Sequence, residues 1–184
     1  MRSVQPGNIY MNEEEAKKRA EEWFKEREER TALNLRCIAL AEKFRSGEFD
    51  TLDPIWHVKK EDIDFFKQKD QLDDELLVEG YSIIPAVNFD RLLSSFHSNQ
   101  GSFISDRKIT DKRGFVDNQL CRIVEHWKNK EALIPPIIIF TKGLNQNWPA
   151  DGKHRMKIAY YLGAKELPVI VPNLQLQQVS ALIL

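Results

Sequence analysis

Asp151, Gly152, Lys153, His154 and Arg155 follow one another where the apolar stretch Trp148-Pro149-Ala150 gives way to a run of helical character. A helix start presents backbone N–H groups that have no intrahelical partner, and with the helix dipole these favour an anion, phosphate above all. Gly152 would let an anion approach the main chain. Lys153 would add a point charge, His154 a switchable proton donor, and Arg155 a planar fork able to hold a phosphate through two hydrogen bonds. Three roles are open to Asp151: capping the helix, orienting His154, or holding a magnesium ion that bridges phosphate oxygens. The plainer reading is that Asp151 only caps while the three cationic residues are solvated. Cations are disfavoured at a helix N-terminus, however, so clustering three of them there calls for a compensating anion.

The elements that must position this turn can be read from apolar spacing. Asn12 followed by Glu15 is a capping-box pattern and predicts a helix through the charged segment Glu13 to Arg30, with Ala16, Ala20, Trp23 and Phe24 as a narrow apolar stripe suited to packing or partner contact. Leu33 to Phe44 continue helically until Gly47, as a second helix or a bend in one long helix. Tyr81 to Val87, and Leu76 to Val78 before it, are β-compatible. Asn88 to Phe96 reads as a short capped helix, and Ser98 to Gly114 as a long loop. Asp117 can cap a helix reaching about Lys130, with Leu120, Ile123, Val124 and Trp127 inward and His126 beside that face as a structural histidine. Ile137 to Phe140 and Trp148 to Ala150 read as a close-set strand pair. A helix from Lys153 to Leu162 and a strand from Leu167 to Val171 complete the unit.

Composition bounds the function classes. The 27 basic and 28 acidic residues give a formal net charge of -1, so an anion site must be local and nothing global demands nucleic acid or an anionic membrane. Cys37 and Cys121 lie far apart and outside any zinc spacing, which argues against a disulfide framework and fits a cytoplasmic setting. The longest apolar stretch, Leu133 to Thr141, holds two prolines and is too short to span a bilayer.

Residues 135–171, PPIIIFTKGLNQNWPADGKHRMKIAYYLGAKELPVIV, resemble the core of the ParB/sulfiredoxin-like superfamily. The shared order is a helix, an apolar strand, a short hairpin, an Asp-Gly-x-His-Arg turn, a helix ending in Leu-Gly, and a strand ending near Pro-Val. The resemblance implies a small α+β domain with a mixed sheet over residues 48–184, preceded by a charged helical segment over 1–47. It implies further that Gly152, His154 and Arg155, with Lys153 beside them, bind nucleotide phosphates. Sulfiredoxins carry a catalytic cysteine where this chain has Lys153, so sulfinic-acid reduction is not expected. ParB-type partition proteins bind CTP and add a helix-turn-helix domain, which is not expected in the short stretch after Val171. Small-molecule kinases with Asp-Gly-His-His-Arg, DNase or ATPase members, and the fertility-inhibition proteins of conjugative plasmids resemble this chain more.

The expected activity is that of a nucleotide-binding phosphohydrolase or phosphotransferase, an ATPase or, with the same pocket on a DNA phosphodiester, a ParB-like nuclease, with ATP or another nucleotide and Mg2+ as cofactors. Asp151 and His154 would be catalytic, Asp151 the metal ligand, and Lys112 and Arg113 a lid over the nucleotide. A non-catalytic inhibitor protein of plasmid or phage origin, acting through the N-terminal helix, is the first alternative. Non-sequence-specific DNA binding, through basic residues from Arg107 to Arg113, is the second.

Overall fold

The computed structural model describes residues 12–48, 51–63, 79–105 and 118–184. The predicted strand at Leu76 to Val78, the proposed cap Asp117 and the segment Arg107 to Arg113 lie outside these residues.

A single helix, α1 (Glu13–Arg45), spans the region predicted as two helices or one bent one. The Asn12 side chain accepts from Glu15 N at 2.8 Å, as the capping pattern requires. Glu13/Lys17, Glu14/Lys18, Glu15/Arg19, Glu21/Lys25 and Glu26/Arg30 have the i,i+4 order in which acid precedes base, so the sequence supports this helix locally. At 1.5 Å per residue α1 is about 50 Å long. Its C-terminal part packs, with Leu33 and Leu40 partly buried and Cys37, Ala41 and Phe44, spaced four and three apart, buried, whereas Trp23 and Phe24 are exposed.

Four strands form the sheet in the order β1-β4-β2-β3: β1 (Tyr81–Asn88), β2 (Ile137–Thr141), β3 (Gln146–Asp151) and β4 (Glu166–Pro172). β1 runs antiparallel to β4, β2 parallel to β4, and β2 antiparallel to β3, so the sheet is mixed. β4 is central, and its unbroken apolar run Leu167 to Val171 is buried throughout, as a strand covered on both faces must be. Prolines occur on the central strand, as Pro168 and Pro172 of β4, and on both edge strands, where a missing N–H is most easily accommodated. Pro85 sits in the β1 register shift between Ile84 and Val87, and Pro149 in β3.

β2 and β4 pair only at Ile137 and Ile170, and beyond that point a side chain substitutes for the ladder. The Gln175 carboxamide accepts from Phe140 N at 2.8 Å and donates to Phe140 O at 3.2 Å. Gln175→Leu is therefore expected to cost about 1–2 kcal/mol, at roughly 1 kcal/mol net for each bond. Amide exchange at Phe140 should accelerate in this variant, and unchanged exchange there would contradict the assignment.

The helices around the sheet are α2 (Phe89–Ser94), α3 (Ser98–Ser105), α4 (Asn118–Lys128), α5 (Lys153–Tyr161) and α6 (Leu176–Ile183). Asn88 caps α2 through Arg91 N at 3.0 Å, as predicted. α3 overturns the loop expected from Ser98 onward. Its Ser/Gly-rich sequence has little helical preference, but Ile104 is fully buried and Lys157 Nζ on α5 donates to the Phe103 carbonyl at 3.0 Å, satisfying one of the helix-end acceptors. Tertiary burial outweighs local propensity here. Lys157 is itself buried, with its ammonium 4.5 Å from the centroid of the Phe103 ring.

One apolar core joins α1 to the sheet and the other helices, with Cys37, Ala41, Leu92, Trp127, Ile138, Met156, Val169 and Val179 among its buried members. Cys37 and Cys121 are buried thiols outside any disulfide, and the Cys121 thiol donates to the Cys37 carbonyl at 3.2 Å, tying α1 to α4. On β1, burial pushes the Tyr81 phenol above its ordinary pKa. Among the described residues, no helix is long and apolar enough to cross a membrane.

Candidate functional site

The hairpin β2–β3 delivers the chain to Gly152, the N-cap of α5, which adopts φ +84° in the left-handed region. A side chain there would also collide with the protein itself: a Cβ would lie 2.7 Å from both Cα and Cβ of Pro136 and 3.1 Å from Arg155 Nη2. The glycine therefore has two intramolecular reasons, backbone conformation and close approach to Pro136, besides any ligand it could admit. Its carbonyl accepts the first helical bond, from Met156 N at 2.9 Å. Having no side chain, it leaves the cap position of α5 without a side-chain acceptor.

Asp151 and Arg155 find each other across one helical turn. Arg155 Nη2 donates to Asp151 Oδ2 at 2.5 Å and Nη1 donates to the Ile134 carbonyl at 2.8 Å, with the arginine side chain only 13% exposed and the aspartate 26%. The compensating anion demanded by three cations at a helix start is thus supplied in part from within. The guanidinium also pins the 134–136 segment to the turn.

Lys153 points its ammonium towards the Trp148 ring, 6.0 Å from the centroid. The imidazole of His154 packs edge-on against Phe103 at 5.5 Å, so α3 buttresses the turn from one side.

An open cleft of about 340 Å³ lies against the turn, lined by Asp151, Gly152, His154 and Arg155 on one side and by Gln119, Arg122, Ile123 and His126 of α4 on the other, with Leu133 between. Positions 119, 122, 123 and 126 follow the i, i+3, i+4, i+7 spacing of one helix face. The neighbouring face, Leu120, Cys121, Val124 and Trp127, is buried in the core, so the packing of α4 compels this polar stripe to face the turn. Arg122 and His126 are exposed there.

The segment before Leu133 is held by residues whose sequence carried little signal. Trp56 bridges to Leu133, His57 N donates to Leu133 O and Leu133 N donates to Ile55 O, both at 2.9 Å. Trp127 Nε1 donates to Ile55 O at 3.0 Å, and its ring meets Trp56 edge-on at 5.3 Å. These contacts fix the floor of the cleft relative to α4.

The structure thus brings four of the five turn residues into one cleft, and turns Lys153 towards Trp148. Gln119, Arg122 and His126 also line the cleft, positions for which the sequence suggested no site role and, at His126, a structural one. The signal was available in their helical spacing beside the apolar face of α4. Lys112 and Arg113, expected as a lid, lie outside the described residues. Among the described residues no group of three or more His, Cys, Asp or Glu is placed to hold a metal ion. Among the described residues Asp151 is the one carboxylate lining the cleft, and one of its oxygens is engaged by Arg155.

The chain matches no family model, no curated protein and no solved structure.

Proposed function

We propose that the cleft between α4 and the start of α5 binds the phosphate groups of a nucleotide, and that the protein hydrolyses or transfers the terminal phosphoryl group. The observation carrying this reading is the convergence of the Gln119–Arg122–His126 stripe on a helix N-terminus opened by a left-handed glycine. Amides at a helix start attract phosphate and Arg122 supplies an exposed cation opposite them. A volume of about 340 Å³ suits a small-molecule group. The likeness of residues 135–171 to the ParB/sulfiredoxin-like turn supports the same chemistry.

In this reading His154 donates to the transferring phosphoryl group, and Arg155 holds Asp151 and the turn in place as well as adding positive potential. The residues do not make a protein-built metal centre. A magnesium ion carried in on the nucleotide needs only one or two carboxylates besides phosphate and water, which Asp151 fits through its second oxygen, and such an ion would neutralise charge on the terminal phosphates.

Arg122→Gln tests the reading cleanly, because the side chain is exposed and its loss should change stability by less than about 0.5 kcal/mol. Nucleotide affinity should fall about ten-fold or more, the worth of one charge-assisted hydrogen bond, in thermal-shift titrations with ATP, CTP and GTP in the presence of Mg2+. Wild-type protein giving neither a nucleotide-dependent shift nor phosphate release would remove this reading. The second reading would then stand: an interaction protein acting through the N-terminal part of α1, which exposes 49% of Trp23 and 58% of Phe24.

A further inference from the structure

His126 sits near the C-terminal end of α4, and the chain turns back at once through Lys130, which adopts φ 60°. Lys130 N donates to Trp127 O at 3.0 Å and Glu131 N to His126 O at 2.9 Å, closing the helix and bringing the Glu131 side chain back over the imidazole. His126 Nδ1 and Glu131 Oε2 are in hydrogen-bond contact. An ionised carboxylate can only accept, so Nδ1 is the nitrogen that carries hydrogen, and in the neutral ring Nε2 is left with its lone pair. A carboxylate that fixes the tautomer and orientation of a histidine is the arrangement by which a general base is prepared. The ring lines the same cleft as Gly152, His154 and Arg122.

We infer that His126 is the general base of the phosphoryl-transfer site, with Glu131 its positioning residue; this inference rests on the phosphate-binding reading above. Nε2 takes a proton from a water, or from an acceptor hydroxyl, as that oxygen bonds to the terminal phosphorus. The bond from this phosphorus to the bridging oxygen breaks, and the nucleoside diphosphate departs with the electron pair. The proton passes from His126 to the released phosphate or to solvent, so water and a nucleoside triphosphate give the diphosphate and inorganic phosphate. His154, on the opposite wall, is left to donate to the phosphoryl oxygens. The cleft thus assigns its two histidines opposite roles: one is a base prepared by a carboxylate, the other a donor seated against an aromatic edge.

The test is phosphate release by the full chain with Mg2+-ATP, Mg2+-CTP and Mg2+-GTP, comparing wild type with His126→Ala, His126→Gln and Glu131→Gln. His126→Ala should lower kcat about 100-fold with KM within about three-fold of wild type, and added imidazole should restore part of the loss. Glu131→Gln should lower kcat about ten-fold, with a smaller change in KM. His126→Gln, a variant of similar bulk, should match His126→Ala and so separates lost chemistry from lost folding. Wild-type kcat in either His126 variant, or a loss that imidazole leaves untouched, would overturn the inference while nucleotide binding still stood. Wild type that binds nucleotide without turnover would overturn it too. Absence of nucleotide binding in wild type would instead remove the phosphate reading, and this inference with it.

Discussion

Gly152→Ala is expected to destabilise the fold by about 2–5 kcal/mol. The left-handed backbone accounts for about 1–2 kcal/mol of this, and forcing a methyl into the Pro136 contact for about 1–3 kcal/mol. Gly163 provides the internal control. It has nearly the same φ, +82°, but a Cβ there would meet nothing within 4 Å, whereas at Gly152 it would lie 2.7 Å from Pro136. Gly163→Ala should therefore show only the backbone cost, about 1–2 kcal/mol. The difference between the two variants, from urea unfolding midpoints at unchanged m, isolates the close approach of the turn to the 134–136 segment. Equal losses would mean that the contact yields without cost and that the turn is free to shift. A large difference would show that the helix start and the cleft floor are one rigid unit. Under the proposed phosphate reading, that rigidity would hold the α5 amides oriented before a ligand arrives.

The turn was legible because everything that defines it is local. Gly152, His154 and Arg155 are consecutive or nearly so, and the apolar strands on either side have clear punctuation in Gly143, Gly163 and the flanking prolines. The i,i+4 spacing of Asp151 and Arg155 is also in the sequence, but the roles expected of Asp151 did not include this pair; the cap expected from Asp151 falls instead to Gly152, and Asp151 pairs with Arg155. The opposite wall was harder to read. Gln119, Arg122 and His126 become cleft residues only through the angle at which α4 lies on α5. That angle is set by Leu120, Val124 and Trp127 packing into a core assembled from distant parts of the chain. α3 was missed for a related reason: its Ser- and Gly-rich residues carry no helical preference, and Ile104 burial together with the Lys157 bond to Phe103 O supplies what the local sequence lacks. Segment 51–63 offered little periodicity because it is held by two main-chain bonds to Leu133 and by the Trp127 indole donating to Ile55 O rather than by a repeating face.

Asp151 holds an ion pair with Arg155, and substitution there tests whether it also has the catalytic role of the proposed function. Asp151→Ala leaves the Arg155 guanidinium, 13% exposed, with the Ile134 carbonyl but without its anion. Loss of one partner of a buried pair costs about 3–5 kcal/mol, and the 26% exposure of Asp151 discounts this to about 2–3 kcal/mol. Arg155→Met alone should cost less, since it removes the charge and keeps the packing. In the double variant the losses should fall short of additive by about 1–3 kcal/mol, the coupling of the pair. Asp151→Asn keeps an acceptor for Arg155 Nη2 and should cost about 1 kcal/mol or less. The phosphate reading makes a sharper demand on that variant. If the second Asp151 oxygen receives the magnesium ion of the nucleotide, Asp151→Asn should fold normally, still bind nucleotide through Arg122 and the α5 amides, and lose Mg2+-dependent phosphate release about 100-fold. Turnover at the wild-type rate in a folded Asp151→Asn protein would make Asp151 the partner of Arg155 and nothing more, and would leave His126 and His154 to account for the chemistry of the cleft.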